Sequence, residues 1–289
     1  MGSGSWTSSD YINYSRATGK CIRNDGTLSS NYTAQDLFKA YTIQPELNPY
    51  NVVRECCDTE EHPNTVPVIL ALDVTGSMGA AAAEVAKKLN TVMTKLFEKV
   101  ADVEFLVMGI GDLAYDKAPI QASQFESDVR IAEQLDKIYF EGNGGGNGYE
   151  SYAAAWYFGT KHTSLDCWKR GEKGIIITMG DEPLNPYLPK RQLSQVTGDS
   201  LESDIETSAL YKLANEKFDI YHLAVNDRAT AYRYYADSIK KSFGKYLDSD
   251  HFKVVCLDDI ANTIANIVAD SAESKLPVGN IENNTEISW

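Results

Sequence analysis

The residues of this sequence with the clearest chemical potential are one aspartate and two hydroxyl side chains at alternate positions. Asp73 ends an apolar run that starts at Val66, and Thr75 and Ser77 follow it on a turn that contains Gly76. At this spacing, one carboxylate and two hydroxyls can converge on a single point. Hard oxygen ligands of this kind are preferred by Mg²⁺, Mn²⁺ and Ca²⁺. The segment therefore indicates a divalent-cation site.

Two further segments carry oxygen ligands that could complete such a site. Asp181 lies in the segment 178–183, which comes directly after a second apolar run at 175–177. A glycine-rich loop spans residues 142–148, and glycines allow the backbone to approach a bound ion closely. Asn147 and Glu150 offer side-chain oxygens in or beside this loop. We expect Asp181 to project into the same crevice as Asp73.

The order of these segments resembles a known family. Asp-x-Thr-Gly-Ser at 73–77 resembles the first segment of the metal-ion-dependent adhesion site of von Willebrand A domains. A Gly-Gly loop with an oxygen ligand and then an aspartate after the next buried strand complete that family's pattern. The family usually has threonine in the loop, where this chain offers Asn147 or Glu150. The Gly-Gly-Gly-Asn-x-x-Glu form is similar to that of divergent intracellular-type members.

The resemblance covers about 66–272 and implies a binding function without catalysis. In this family a bound metal keeps one coordination position open, and an Asp or Glu of a protein partner fills it. By this resemblance the Mg²⁺, Mn²⁺ or Ca²⁺ ligands are expected among Asp73, Thr75, Ser77, Asp181, Asn147 and Glu150. The expected partner contacts are Gly145, Gly146, Tyr149 and Glu182.

Several of these residues also have simpler interpretations. Ser77 could serve only as the N-cap of the following helix. Asn147 with Glu150 has the spacing of a capping box, which would not prevent either residue from binding metal. Asp112 and Asp116 follow a predicted strand, and a solvated loop is favoured for them over a second site.

Apolar runs alternate with amphipathic helices from Val66 onwards. This alternation predicts an α/β fold with a Rossmann-like, doubly wound, mostly parallel sheet flanked by helices. In such sheets ligands bind beyond the carboxyl ends of the strands, where Asp73 and Asp181 stand. The predicted strands are 66–72, 103–110, 119–123, 174–178, 219–225 and 253–257. The predicted helices are 80–100, 128–138, 150–161, 202–217, 228–241 and 258–272.

The polar, turn-rich residues 1–65 are interpreted as an irregular N-terminal arm that packs on the main domain. Residues 66–272 form the von Willebrand A-type domain of this prediction, and 273–289 form a polar C-terminal tail. Inside the predicted main domain, Cys256 lies in an apolar run and is expected in the core.

The net charge of −14 argues against nucleic acid and anionic membrane surfaces as partners, because both need a positive footprint. No run of apolar residues reaches membrane-spanning length, and no leader is visible. The five cysteines are odd in number and two are adjacent, which argues against a disulfide framework. We therefore expect a cytoplasmic protein with reduced thiols.

Two other functions remain open from the sequence. One is a structural component of a larger assembly with a vestigial metal site. The other is a Mg²⁺-dependent hydrolase of similar architecture. Against the second, Thr75 stands where a phosphoaspartate phosphatase needs its second aspartate, and neither a P-loop nor a Gly-x-Ser-x-Gly elbow occurs.

Overall fold

The computed structural model describes residues 5–100, 102–142 and 147–273. From Val66 onwards, strands and helices alternate along most of the chain. The strands are β1 (Arg54–Cys56), β2 (Val66–Asp73), β3 (Val103–Ile110), β4 (Ile120–Glu126), β5 (Thr163–Leu165), β6 (Gly174–Gly180), β7 (Tyr187–Leu188), β8 (Ile205–Glu206), β9 (Phe218–Val225) and β10 (Phe252–Val255). The α-helices are α1 (Ser8–Ala17), α2 (Ala34–Leu37), α3 (Gly79–Phe97), α4 (Arg130–Asp136), α5 (Ala153–Lys161), α6 (Lys190–Thr197), α7 (Thr207–Lys217), α8 (Tyr232–Phe243) and α9 (Ile260–Glu273).

The main sheet has six strands in the order β10-β9-β6-β2-β3-β4. All neighbours are parallel except β4, which runs antiparallel to β3 at one edge. The strand β2 is central, with β3 and β6 on its two sides. In its register with β6, Leu72 pairs with Met179, so Asp73 and Asp181 follow neighbouring positions at the same edge of the sheet.

Helices cover both faces of this sheet. Successive side chains of a strand point to opposite faces, and β2 shows this division directly. Val68, Leu70 and Leu72 belong to a buried cluster that includes residues of α3 and α9. Ile69 and Ala71 belong to a second cluster that includes residues of α5, α7 and α8. The predicted doubly wound, mostly parallel sheet is confirmed.

The N-terminal segment contributes side chains to the first of these clusters. Trp6, Tyr11 and Leu28 are buried in it, and the Trp6 indole Nε1 donates to Asn90 Oδ1 of α3 at 3.1 Å. Further along, β1 pairs in parallel with β5. The segment also contains α1, which was not predicted because its mostly polar residues form no apolar stripe.

The start of one helix differs from the prediction. The helix expected from residue 202 begins at Thr207, because Ile205 and Glu206 pair with β7 as a short strand. Its buried face carries Leu210 and Ala214, while Leu213 is 49% exposed.

Cys256, expected in the core, is exposed. Its Sγ donates to Asp259 Oδ2 at 2.9 Å. Cys21, Cys56, Cys57 and Cys256 are unpaired thiols. In the parts of the chain that the structure describes, no helix combines the length and the apolar character needed to cross a membrane.

Candidate metal site

The first segment of the site is the turn after β2. Asp73, the last residue of the strand, is fully buried. Its Oδ1 accepts hydrogen bonds from Thr75 N at 2.8 Å and from Thr75 Oγ1 at 2.6 Å. A short 3₁₀ turn at Gly76–Met78 then leads into α3, whose N-cap is Met78. The interpretation of Ser77 as the N-cap is therefore wrong, and its hydroxyl is available for another contact.

That contact joins the first segment to the second. Ser77 Oγ donates to Asp181 Oδ1 at 3.1 Å. The other oxygen, Asp181 Oδ2, accepts a hydrogen bond from Ala231 N at 2.5 Å, in the loop between β9 and α8. Asp73, Thr75, Ser77 and Asp181 thus lie together at the carboxyl edge of the sheet, as their spacing suggested.

Tyr152 connects these two segments through its hydroxyl group. It is fully buried, and its hydroxyl donates to Asp73 Oδ2 at 2.8 Å while accepting from Glu182 N at 3.3 Å. The ring lies against Gly180, where an added Cβ would stand 1.9 Å from the Tyr152 hydroxyl oxygen. Glycine at position 180 therefore makes room for the side chain that orients Asp73.

Glu150 lies at the same edge, on a segment that is hydrogen-bonded to the segment carrying Glu182. Its backbone N–H donates to Pro183 O at 3.1 Å, and its carbonyl accepts from Asn185 N at 3.4 Å. The side chain is almost wholly buried, and Oε2 has no hydrogen-bond partner. Because α5 begins only at Ala153, the capping-box interpretation of Asn147 and Glu150 is wrong.

Asp112 and Asp116 also belong to this edge, which the sequence did not reveal. Asp112 is buried and Asp116 is half-buried, so the solvated-loop interpretation is wrong. Asp116 Oδ2 accepts from Asp112 N at 2.7 Å, which folds the loop back on itself. Ser151 Oγ accepts from Leu113 N at 3.0 Å and fastens the loop beside Glu150.

Six carboxyl groups thus meet at one edge of the sheet, and we call them the carboxyl-edge acids. They are Asp73, Asp112, Asp116, Glu150, Asp181 and Glu182. None of them forms an ion pair with a lysine, arginine or histidine of the described residues. Within the described residues, this edge therefore concentrates acidic groups without a basic side chain paired to them.

The pKa of every carboxyl-edge acid is raised, and burial is the largest cause in each case. The negative charge of Asp181 raises the pKa of Asp73 further, and that of Asp73 does the same for Glu150. The pKa of Glu182 rises to about 7 and that of Asp116 to about 6. Burial without a counter-charge therefore disfavours the ionised form of all six groups.

The donor set fits a hard divalent cation. Glu150 Oε2 and Asp112 Oδ2 are buried oxygens without a hydrogen-bond partner, a situation that costs free energy unless a cation compensates it. Carboxylate and hydroxyl oxygens are the ligands that Mg²⁺, Mn²⁺ and Ca²⁺ prefer. Within 5–100, 102–142 and 147–273, no group of three or more His, Cys, Asp or Glu has metal-binding spacing. The predicted set combines the carboxylates of Asp73, Asp181 and Glu150 with the hydroxyl groups of Thr75 and Ser77 and the amide of Asn147.

The remaining predicted residues are placed less centrally. Asn147 is exposed, and its Oδ1 accepts from Tyr149 N at 3.1 Å. Tyr149 is 43% exposed on the rim, and Glu182 is half-buried next to Asp181. Gly145 and Gly146, the other two expected partner contacts, lie outside the described residues.

Comparison with known proteins gives only distant similarities. No family model and no curated protein sequence matches the chain. The pilus adhesin SpaC from Lactobacillus rhamnosus GG, in its open conformation, aligns over 78% of this chain and 31% of its own, with 13% identity and a TM-score of 0.48. The vWF domain of the type V pili tip protein Mfa5 from Porphyromonas gingivalis aligns over 74% and 97%, with 11% identity and a TM-score of 0.47.

The conserved hypothetical protein BatB from Bacteroides thetaiotaomicron aligns over 72% of this chain and 99% of its own, with 16% identity and a TM-score of 0.42. All three TM-scores are below 0.5, and similarities at this level support no argument about function. The fold assignment rests on the order and direction of the six strands and on the helices that cover them.

Proposed function

We propose that this protein, whose α/β fold is von Willebrand A-like, is a non-catalytic module that binds a protein partner through a divalent cation. One observation carries the proposal: six mostly buried carboxyl groups meet at the carboxyl edge of the sheet without a basic partner among the described residues. A protein that gathers such charge loses stability unless a cation compensates it. The partner class is a protein that presents an Asp or Glu side chain.

In this proposal Asp73, Thr75, Ser77 and Asp181 hold the ion, with Mg²⁺, Mn²⁺ and Ca²⁺ all suited to their oxygens. Tyr152 OH and Ala231 N orient the two carboxylates through the hydrogen bonds given above. The cation would supply the local positive charge that attracts the partner's carboxylate.

Glu150 has a separate role in the proposal. Asp73 and Asp181 as ligands together neutralise a dication, and a third carboxylate bound to the ion would give its ligand set a net negative charge and weaken its attraction for an incoming acid. We therefore propose that Glu150 takes the place of the partner's carboxylate and approaches the ion only when the partner is absent. Its buried and unpartnered Oε2 supports this assignment.

The experiment that tests the proposal is calorimetric titration of Mg²⁺ into three forms of the protein. Wild type should take up one ion, and Asp73→Asn should lose this uptake because it removes one of the two charges. Asp250→Asn is the matched control, since Asp250 is an exposed acid in the loop before β10, at the other end of the sheet. Equal uptake by wild type and Asp73→Asn would overturn the metal site.

Capture of a partner is then tested by pull-down from host lysate with Mg²⁺ and with chelator. Proteins retained by wild type only in Mg²⁺, and not by Asp73→Asn, are the expected result. Mg²⁺ uptake without any Mg²⁺-dependent capture would instead favour a structural component of an assembly. Turnover of a phosphate ester or nucleotide by wild type but not by Asp73→Asn would favour the hydrolase.

A further inference from the structure

A cleft of about 460 Å³ lies beside the candidate metal site, a volume within the range of about 300–1,000 Å³ of ligand sites. One wall is the segment after Glu182, with Pro183 and Pro186, and Tyr149 lies next to it. The other wall comes from α8 and the residues after it, with Ser238, Lys241 and Lys245. One wall of the cleft therefore belongs to the segments that carry Glu150 and Glu182.

The two walls are fastened to each other. Ser242 Oγ on α8 accepts a hydrogen bond from Leu184 N at 3.1 Å and donates to Ile239 O at 2.9 Å. On α8, Ser238, Lys241 and Ser242 are spaced at i, i+3 and i+4, so they share one face of the helix. The lysines are thus held at a fixed place relative to the segment after Glu182.

This cleft adjoins a second cavity that reaches Asp112, one of the carboxyl-edge acids. The second cavity has about 330 Å³ and is lined by Asp112 and Ser151, among others. Tyr149, Asn185 and Pro186 line both cavities. Together they make a groove with Asp112, one of the carboxyl-edge acids, at one end and lysines at the other.

The charge of the lysine end is opposite to that of the protein as a whole. Lys241 and Lys245 are exposed, and neither forms an ion pair with any residue in the described ranges. The cleft contains one acid, Glu206, so its side chains carry a net positive charge in a chain of −14. Complementary charge selects a negatively charged occupant.

We infer that this cleft binds acidic residues of the same partner segment whose carboxylate is held at the metal site. The inference rests on the proposed function, because that function supplies the acidic segment and its point of attachment. One acidic side chain would meet the cation, and further Asp or Glu residues along an extended chain would reach Lys241 and Lys245. Tyr149, Pro183 and Pro186 offer flat apolar surface to the backbone between them. The partner motif is therefore an acidic cluster rather than a single acid.

The test uses a fluorescein-labelled hexaglutamate peptide, with hexaglutamine as the neutral peptide, and fluorescence polarisation in Mg²⁺ and in chelator. The variant is Lys241→Glu/Lys245→Glu. Its matched control is Lys99→Glu/Lys161→Glu, which changes net charge equally at exposed lysines. These control residues follow or end α3 and α5, helices that begin beside the metal site, so they lie at the opposite edge of the sheet.

Hexaglutamate should bind wild type more tightly in Mg²⁺ than in chelator, and hexaglutamine should not bind. The Lys241→Glu/Lys245→Glu variant should weaken hexaglutamate binding about tenfold in both buffers, while the control variant keeps wild-type affinity. Equal weakening by the two double variants, or no binding of hexaglutamate to wild type, would contradict the inference that this cleft binds acidic residues.

Two patterns separate this inference from the proposed function. Hexaglutamate binding that depends on Mg²⁺ and on Asp73 but not on Lys241 and Lys245 would support the proposed function. It would contradict the inference that the cleft binds acidic residues. Binding that depends on the lysines but is equal in Mg²⁺, in chelator and in Asp73→Asn would support the cleft and contradict the function. Complete displacement of hexaglutamate by an equimolar amount of inorganic phosphate would indicate a phosphate site and overturn the assignment of a peptide.

Discussion

Acids near the two edges of the same sheet differ in whether a basic side chain neutralises them. At the amino edge, Arg170 contacts Asp58 through Nη1 and donates to Glu172 Oε2 at 3.0 Å and Thr65 O at 2.8 Å. Burial alone would raise the pKa of Asp58, but hydrogen bonds from Arg170 and Thr65 outweigh it and lower the pKa. At the carboxyl edge, burial raises the pKa of all six acids, and no resident cation reverses it.

The difference separates charges that the described chain neutralises from charges that it leaves without a counter-charge. Asp58 and Glu172 find their counter-charge in Arg170, although Glu104 of β3, near the same edge, is buried with an Oε2 that has no hydrogen-bond partner. The carboxyl-edge acids find no counter-charge among the described residues, so their ionised forms are disfavoured unless a cation compensates the charge. Functional sites are where such perturbed groups concentrate.

The largest expected effect is stabilisation of the carboxyl edge by Mg²⁺. An ion that binds only the folded state at about 100 times its Kd adds about 2.7 kcal/mol to the free energy of unfolding. Urea unfolding in Mg²⁺ and in chelator should show this gain for wild type and for Arg170→Met, and should not show it for Asp181→Asn. A gain that persists in Asp181→Asn would mean that the ion binds elsewhere.

The second effect belongs to the amino edge. Replacing Arg170 by Met keeps the apolar stem but leaves Asp58 and Glu172 without their counter-charge. Because this network is only partly buried, we expect a loss of about 2 kcal/mol in the free energy of unfolding. The loss should be the same with Mg²⁺ and with chelator, as urea unfolding would show. A loss that Mg²⁺ repairs would contradict the separation of the two edges.

The third effect tests the cost of an uncompensated acid. The folded-state pKa of Glu150 is raised, so above about pH 4.5 the folded protein keeps a proton that the unfolded chain releases, and stability falls as the pH rises. In chelator, the free energy of unfolding of Glu150→Gln should therefore be about 1.5 kcal/mol higher than that of wild type near pH 8. Near pH 4.5 the two free energies of unfolding should be equal. Denaturant midpoints across this range measure it, and a difference independent of pH would disprove the cause.

The smallest effect concerns an exposed ion pair at the amino edge. Lys169 lies 2.6 Å from Asp166 Oδ1 but is 78% exposed, so water screens the pair. Lys169→Ala should leave the free energy of unfolding almost unchanged. A loss as large as that of Arg170→Met would show that exposure is not what separates weak from strong pairs here.

The sequence predicted the sheet well because its strands are apolar runs buried on both faces. The run from Val66 to Leu72 predicts a buried strand, and its position places Asp73 at the end of that strand. Boundaries were less accurate where the chain leaves regular structure. Glu150 was expected to begin a helix, but its backbone pairs with Pro183 and Asn185, and such pairing between distant segments leaves no local periodicity.

The candidate site was predicted in part for the same reason. Asp73, Thr75, Ser77 and Asp181 were found because they follow buried strands. Asp112 and Asp116 also follow a strand, yet their loop looks solvated in the sequence, since the bond from Leu113 N to Ser151 Oγ that fastens it spans 38 residues. The orienting role of Tyr152 was missed because its hydroxyl is the only polar part of an otherwise ordinary core residue.

Gly180 has a consequence for how this site can change by mutation. Since a Cβ at this position would stand 1.9 Å from the Tyr152 hydroxyl oxygen, any larger residue must displace the ring, which is fully buried. Substitution at 180 is therefore tolerable only in a chain that has already shortened the side chain at 152. In a set of homologous sequences the two positions should covary: glycine wherever 152 is tyrosine, and freedom at 180 only where the tyrosine has been lost.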